Sequence, residues 1–171
     1  GHTIAINGKA VANSVTGTIQ NLGVTGSVSS SDNVGSIAMT LSGTIQMCWS
    51  TASVNLSGWM GYAGGLAGGM TSGKIVNSYF AGSGVEMNGG LVGEAQAGSL
   101  SNCLYTVGYS PAEMNYGGFN KGNAAKSSDL SSADSLAVLN ADAPATGFTW
   151  TTNGGLPILT SGSASVTVNK D

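Results

Sequence analysis

GTIQNLGVTGSV, beginning at Gly17, is the stretch on which the fold turns, because the chain restates it three times. It returns as GTIQMCWSTASV from Gly43, GKIVNSYFAGSGV from Gly73 and GSLSNCLYTVG from Gly98, with starts 26, 30 and 25 residues apart. A second short element follows each: VGSIA at Val34–Ala38, GGLAG at Gly64–Gly68, GGLVG at Gly89–Gly93 and a clipped GGF at Gly117–Phe119. Recurrence at about 20–50 residues marks stacked units rather than one closed fold. Helical repeats need long stretches of 3.6-residue periodicity. These units are short apolar alternations broken by glycine, which read as short strands and turns. The expected fold is all-β: a parallel β-helix or β-solenoid of about four to five coils, with a short C-terminal helix and a capping segment.

One unit per coil predicts columns of equivalent residues about 4.8 Å apart. Ile19, Ile45, Ile75 and Leu100 form one inward column, and Leu22, Cys48, Ser78 and Cys103 a second, three residues on. That spacing breaks strict alternation and requires a bend between the columns, occupied by Asn21, Met47, Asn77 and Asn102. Asparagine tolerates the left-handed conformation and its side chains can stack as a ladder, which Met47 should interrupt. Val28, Val54 and Val85 are expected as a third column, and Leu66, Leu91, Ile37 and Phe119 as a fourth. The segments Asn55–Ala63 and Tyr109–Tyr116 read as insertions between elements. Insertions at one phase of a repeat emerge on one side, where recognition is sought first.

Residues 1–126 hold the repeats, and 127–160 read as a helix and capping segment of the same domain. In that second part, Ser131 to Asn140 has the signature of a capped short helix. FTWTTNGGLPIL, from Phe148, supplies apolar anchors that are expected to cover the last coil. Residues 161–171 resemble a linker or the opening of a following domain.

Composition narrows the function. Charged residues make up 8% of the 171, against about 25% in an average domain. The five basic residues are all scattered lysines and the net charge is −3, so the clustered basic footprint of nucleic-acid binding is missing. No apolar run is long enough to insert in a membrane. His2 is the single histidine, which leaves a Ser-His-Asp or Cys-His device only a terminal residue to use. One His and two separated Cys make no zinc site, and neither a metal nor another cofactor is expected. A polysaccharide-active enzyme on such a scaffold would want paired carboxylates in a cleft. Glu86 and Glu113 are the pair to consider, with solvated surface charges as the alternative.

Cys48 and Cys103 fall in one column with the Ser78 coil between them. Two rungs are about 9.6 Å, beyond the roughly 7 Å that a disulfide spans between Cα atoms, so both are expected to be free buried thiols. Trp49 and Tyr79 follow the inward column by one residue and should point outward. With Trp59 and Tyr62 from the long insertion they are the candidate ligand-binding residues, as a platform for sugar rings. The alternative is that they pack beneath loops or the C-terminal segment.

The GGLAG and GGLVG elements, paired with Gly-x-Ile-x-Asn-Cys-like segments, resemble the GLUG-motif repeats of bacterial surface proteins. Gly1-His2-Thr3-Ile4 is similar to the end of that family's opening, and Asp129 to Leu159 to its closing segment, a short helix ending in Leu-Asn followed by a Trp and a Pro-Ile-Leu ending. The departures are VGSIA for GGLVG, Met47 for Asn, and the clipped GGF. The resemblance implies extracellular display at the bacterial cell surface, as in adhesins, large wall-attached proteins and non-catalytic regions of immunoglobulin A protease-like proteins. It supplies no catalytic residues. The expectation is a non-enzymatic structural or adhesive module whose partners are a host or extracellular glycan or protein and the neighbouring domains of a longer chain. The alternative is a non-catalytic segment of a surface protease or carbohydrate-active enzyme.

Overall fold

The computed structural model describes residues 1–86 and 88–161. Of the C-terminal stretch read as a linker, residues 162–171 lie outside the described residues.

The chain is mostly β, in short strands that return to the same place once per repeat. β1 (His2–Gly8) precedes the first circuit, which contains β2 (Ala12–Val15), β3 (Thr18–Gln20) and β4 (Leu22–Ser30) and returns to pair β4 with β1. The next holds β5 (Val34–Gly35), β6 (Ala38–Leu41), β7 (Thr44–Gln46), β8 (Trp49–Ser50) and β9 (Ser53–Leu56). Then come β10 (Ala63–Gly64), β11 (Ala67–Met70), β12 (Lys74–Val76) and β13 (Tyr79–Phe80). β14 (Gly89–Ser101), β15 (Leu104–Tyr105), β16 (Ser110–Asn120) and β17 (Ala125–Lys126) finish the repeats. Every pairing among these strands is parallel, and each joins a strand to its counterpart one repeat away. One sheet runs β1-β4-β8-β13-β15-β17, and a second runs β2-β6-β11-β14-β12-β7-β3 with β5, β10 and β16 alongside. Parallel sheets with this offset are compatible with a β-solenoid.

The register carries the first column as aligned: Ile19 opposes Ile45, Ile45 opposes Ile75, and Ile75 opposes Leu100. The bend takes the expected backbone, with φ of 55°, 51°, 48° and 53° at Asn21, Met47, Asn77 and Asn102. The asparagine ladder is confined to its last step, where Asn123 Nδ2 donates to Asn102 Oδ1 at 2.7 Å, and Asn77 and Asn102 do not bond each other. Asn77 Nδ2 instead donates to the carbonyls of Leu139 and Ala141, and Asn102 Nδ2 to that of Ala141. Uncapped carbonyls at a helix end attract these donors more strongly than neighbouring amides do.

Two columns depart from the alignment. Val28 opposes Val54, but Ser53 opposes Ser83, so Gly84 follows at the rung of Val54 and Val85 enters the core one residue later. Gly84 has φ 88°, and a Cβ there would lie 2.0 Å from the Val54 carbonyl oxygen, so no other residue fits. Ile37, Leu66 and Leu91 are fully buried together, whereas Phe119 opposes Gly98 and belongs elsewhere. Ser110 opposes Gly89 and Ala112 opposes Val92, which makes Ser110–Ala112 the fourth copy of the glycine element. Tyr109–Tyr116 is therefore mostly strand, not an insertion, and GGF is not a clipped repeat.

The register explains the glycine pair. Gly64 and Gly89 pack against backbone, while a Cβ on Gly65 or Gly90 would strike the ring of Phe80 or Tyr105, at 2.3 and 2.2 Å. In the rung before, Ser50 stands in the ring position and Ser36 in that of the second glycine. In the last, Lys126 replaces the ring and Pro111 follows Ser110. Glycine appears where an aromatic ring needs the space.

The C-terminal segment comprises α1 (Ala133–Asn140), β18 (Phe148–Thr151) and β19 (Ile158–Ser161). Ser132 caps the helix by accepting from the Ser135 amide at 3.2 Å. Asn140 then holds Trp150 twice, donating to its carbonyl and accepting from its amide, each at 2.9 Å. The segment does not close the end of the stack as expected. It packs on the outward side of β8, β13 and β15, burying Met47, Tyr79 and Leu104 with Leu130, Leu139 and Trp150. Outward side chains on successive rungs make an apolar stripe there, and covering it removes that surface from water.

Candidate functional site

The four aromatic residues expected to form one platform fall into two groups. Trp49 and Tyr79 oppose each other on β8 and β13 and stack with ring centroids 6.2 Å apart and planes 9° from parallel. Trp49 lies flat on Gly23, where a Cβ would come within 2.3 Å of its indole. Tyr79 also meets Trp150 edge-on at 5.3 Å and donates its hydroxyl to the Pro157 carbonyl at 2.8 Å. Tyr79 is buried, and its phenol is held protonated by that burial. This pair is the attachment surface of the C-terminal segment, which is the packing alternative raised from sequence.

Trp59 and Tyr62 lie on the turn between β9 and β10. Turns of successive repeats meet here: Gly58 lies against Ser31, Gly61 against Asp32, and the Val34 amide donates to the Tyr62 carbonyl. Asn33 ties them together, accepting from the Tyr62 amide at 2.8 Å and donating to Glu94 at 2.9 Å. The result is a fixed base under a projecting tip. Trp59 and Met60 are fully exposed on that tip, above a depression lined by Asp32, Asn33, Tyr62 and Glu94. A fixed base lowers the ordering cost of using Trp59 as an anchor.

The carboxylates considered for catalysis do not share a cleft. Glu86 accepts from the Gly84 amide and shapes its own turn. Glu113 lines a separate depression at β16 with Tyr109, Asn115, Phe119 and Lys121. Sequence reasoning missed this group because it took residues 109–116 as a loop; the glycine element at Ser110–Ala112 is disguised by its proline. His2 is on β1 opposite Leu22. Among the described residues, no three His, Cys, Asp or Glu come together as metal ligands do.

Cys48 and Cys103 are both free and buried. Each thiol faces backbone carbonyls, Cys48 that of Gln46 at 3.2 Å and Cys103 that of Ser101 at 3.1 Å. Burial pushes both pKa values up to about 12. Ser78 sits between them, accepting from the Cys48 amide at 3.0 Å. Neither sulfur is a nucleophile in the folded chain.

No family model matches the chain, and no curated protein or solved structure matches it either.

Proposed function

We propose that this chain is a β-solenoid of four to five coils, akin to the GLUG-motif repeats, acting as a non-enzymatic structural and adhesive module at a bacterial cell surface. The observation that carries the reading is the joining of a repeat-register parallel stack to a turn side that presents Trp59. Stacked rungs make a stiff support, because each backbone strand is hydrogen-bonded on both sides except at the ends. Recognition through loops on a rigid scaffold is the general pattern for such folds. The partner is an extracellular glycan or protein, contacted by Trp59 with Tyr62 at its base.

The test has two arms. Antibody raised against residues 1–161 should label intact, unpermeabilised cells expressing the parent protein; labelling only after lysis would remove surface display. Purified domain should bind host cells or extracellular matrix, and Trp59→Ala should weaken that binding at least tenfold, the usual scale for a buried aromatic anchor. Unchanged binding would remove the turn from the interface.

A further inference from the structure

We propose that the depression at β16 is a binding site for a neutral saccharide, held by Tyr109, Glu113, Asn115 and Lys121. The site is distinct from the Trp59 turn and does not depend on surface display.

Among the described residues, no strand pairs with β16 beyond β14. β16 pairs along β14, which itself pairs with β10, β11 and β12, so its two arms round the corner of the stack. Residues from both arms line an open depression of about 460 Å³. Small-molecule sites occupy roughly 300–1,000 Å³.

The inward columns change character here. Buried Ala95 is opposed by Asn115, and Lys121 follows the pair of Ser99 with Asn120. An apolar core reaching solvent needs a polar end, and any polar residues serve that purpose. These are solvent-exposed and free to bond a ligand. Among the described residues, the side chains of Glu113, Asn115 and Lys121 make no hydrogen bond and no ion pair, although all three border one depression. They stand beside Pro111, Phe119 and an exposed Tyr109 ring. Burial also raises the Glu113 carboxyl above its ordinary range.

The ligand class follows from the charges. An anion entering the depression meets Glu113 and a cation meets Lys121. A neutral polyol suits both, since each hydroxyl donates to a carboxylate or accepts from an ammonium. Asn115 adds a donor and an acceptor, and the apolar face of a pyranose fits an aromatic ring. A sugar satisfies all four residues without bringing charge.

Saturation-transfer-difference NMR with glucose, galactose, mannose and N-acetylglucosamine and their β-linked dimers tests this, with sialyllactose and chitobiosamine as anionic and cationic arms. At least one neutral sugar should bind at millimolar concentration. Glu113→Ala and Lys121→Ala should each weaken it about tenfold, as expected for loss of a hydrogen bond to a charged group. Tyr109→Ala should abolish that signal, and Lys74→Ala, which removes an equal charge from an exposed position outside the depression, should leave it unchanged. Glu113→Gln, which keeps a hydrogen-bonding group and removes the charge, should admit sialyllactose. Circular dichroism of each variant controls for folding. Absence of binding by every neutral sugar, binding of charged sugars alone, or retention of binding in Tyr109→Ala with loss in Lys74→Ala would each overturn the site.

Discussion

Gly65 lies against the ring of Phe80, so closely that a Cβ on the glycine would come within 2.3 Å of the ring's Cγ. One rung below, both members of the pair are serines, Ser36 and Ser50. Gly65→Ser should cost about 1–3 kcal/mol by overpacking, and Phe80→Ser about 3–5 kcal/mol by opening a cavity. The double variant should be about 1 kcal/mol more stable than the two losses summed, measured by urea unfolding; recovery is partial because the same Cβ also lies 2.4 Å from the Gly90 carbonyl oxygen. Additivity would show that ring and glycine do not share space.

Asn77 combines a left-handed backbone with two donations to the helix end, at 3.0 Å to Leu139 and 2.7 Å to Ala141. Asn77→Ala removes the bonds and strains the backbone, for a loss of about 2–4 kcal/mol. Asn77→Gly removes only the bonds and should be about 1 kcal/mol milder. Equal losses would mean that the bend conformation carries no strain.

Thiol chemistry reads the interior. With pKa values near 12 and full burial, Cys48 and Cys103 should resist iodoacetamide at neutral pH in the native protein. Both should alkylate within minutes in denaturant. Rapid native labelling of either would show that its rung opens.

Asp129 organises the approach to α1. Its carboxylate accepts from the Ser131 hydroxyl at 2.6 Å and the Ser131 amide at 2.8 Å, which lowers its pKa below the ordinary aspartate value. A depressed folded-state pKa contributes stability that is present above the unfolded pKa and disappears as pH falls through the folded one. Carboxyl-detected NMR should find the midpoint below that of a free aspartate, and Ser131→Ala should move it back up. A midpoint unmoved by Ser131→Ala would remove the hydroxyl as the principal cause.

The repeat was legible because register acts on columns. Four β-branched or leucine side chains at one phase leave little choice of which backbone sits on which, and the shared φ near 50° of Asn21, Met47, Asn77 and Asn102 follows from the three-residue step between columns. Phe119 was misplaced for the complementary reason. Its neighbouring glycines imitate the element, while the true fourth copy at Ser110–Ala112 has lost its glycines because Lys126, not a ring, stands in the aromatic column. Met47 shows the same limit: nothing in its own repeat says that it would be buried beneath Leu139 and Trp150. The depression at β16 stayed hidden because it arises from a corner between two arms of one strand, which no linear pattern displays.

The side-lying C-terminal segment works as a strap across the rungs. The strands climb from β1 to β17, yet the chain then descends along the outside until the Leu159 side chain rests beside Gly1. One segment thus touches the first residue of the chain and the outward side of β8, β13 and β15 together, so loosening it would release rungs that are far apart in sequence at the same time.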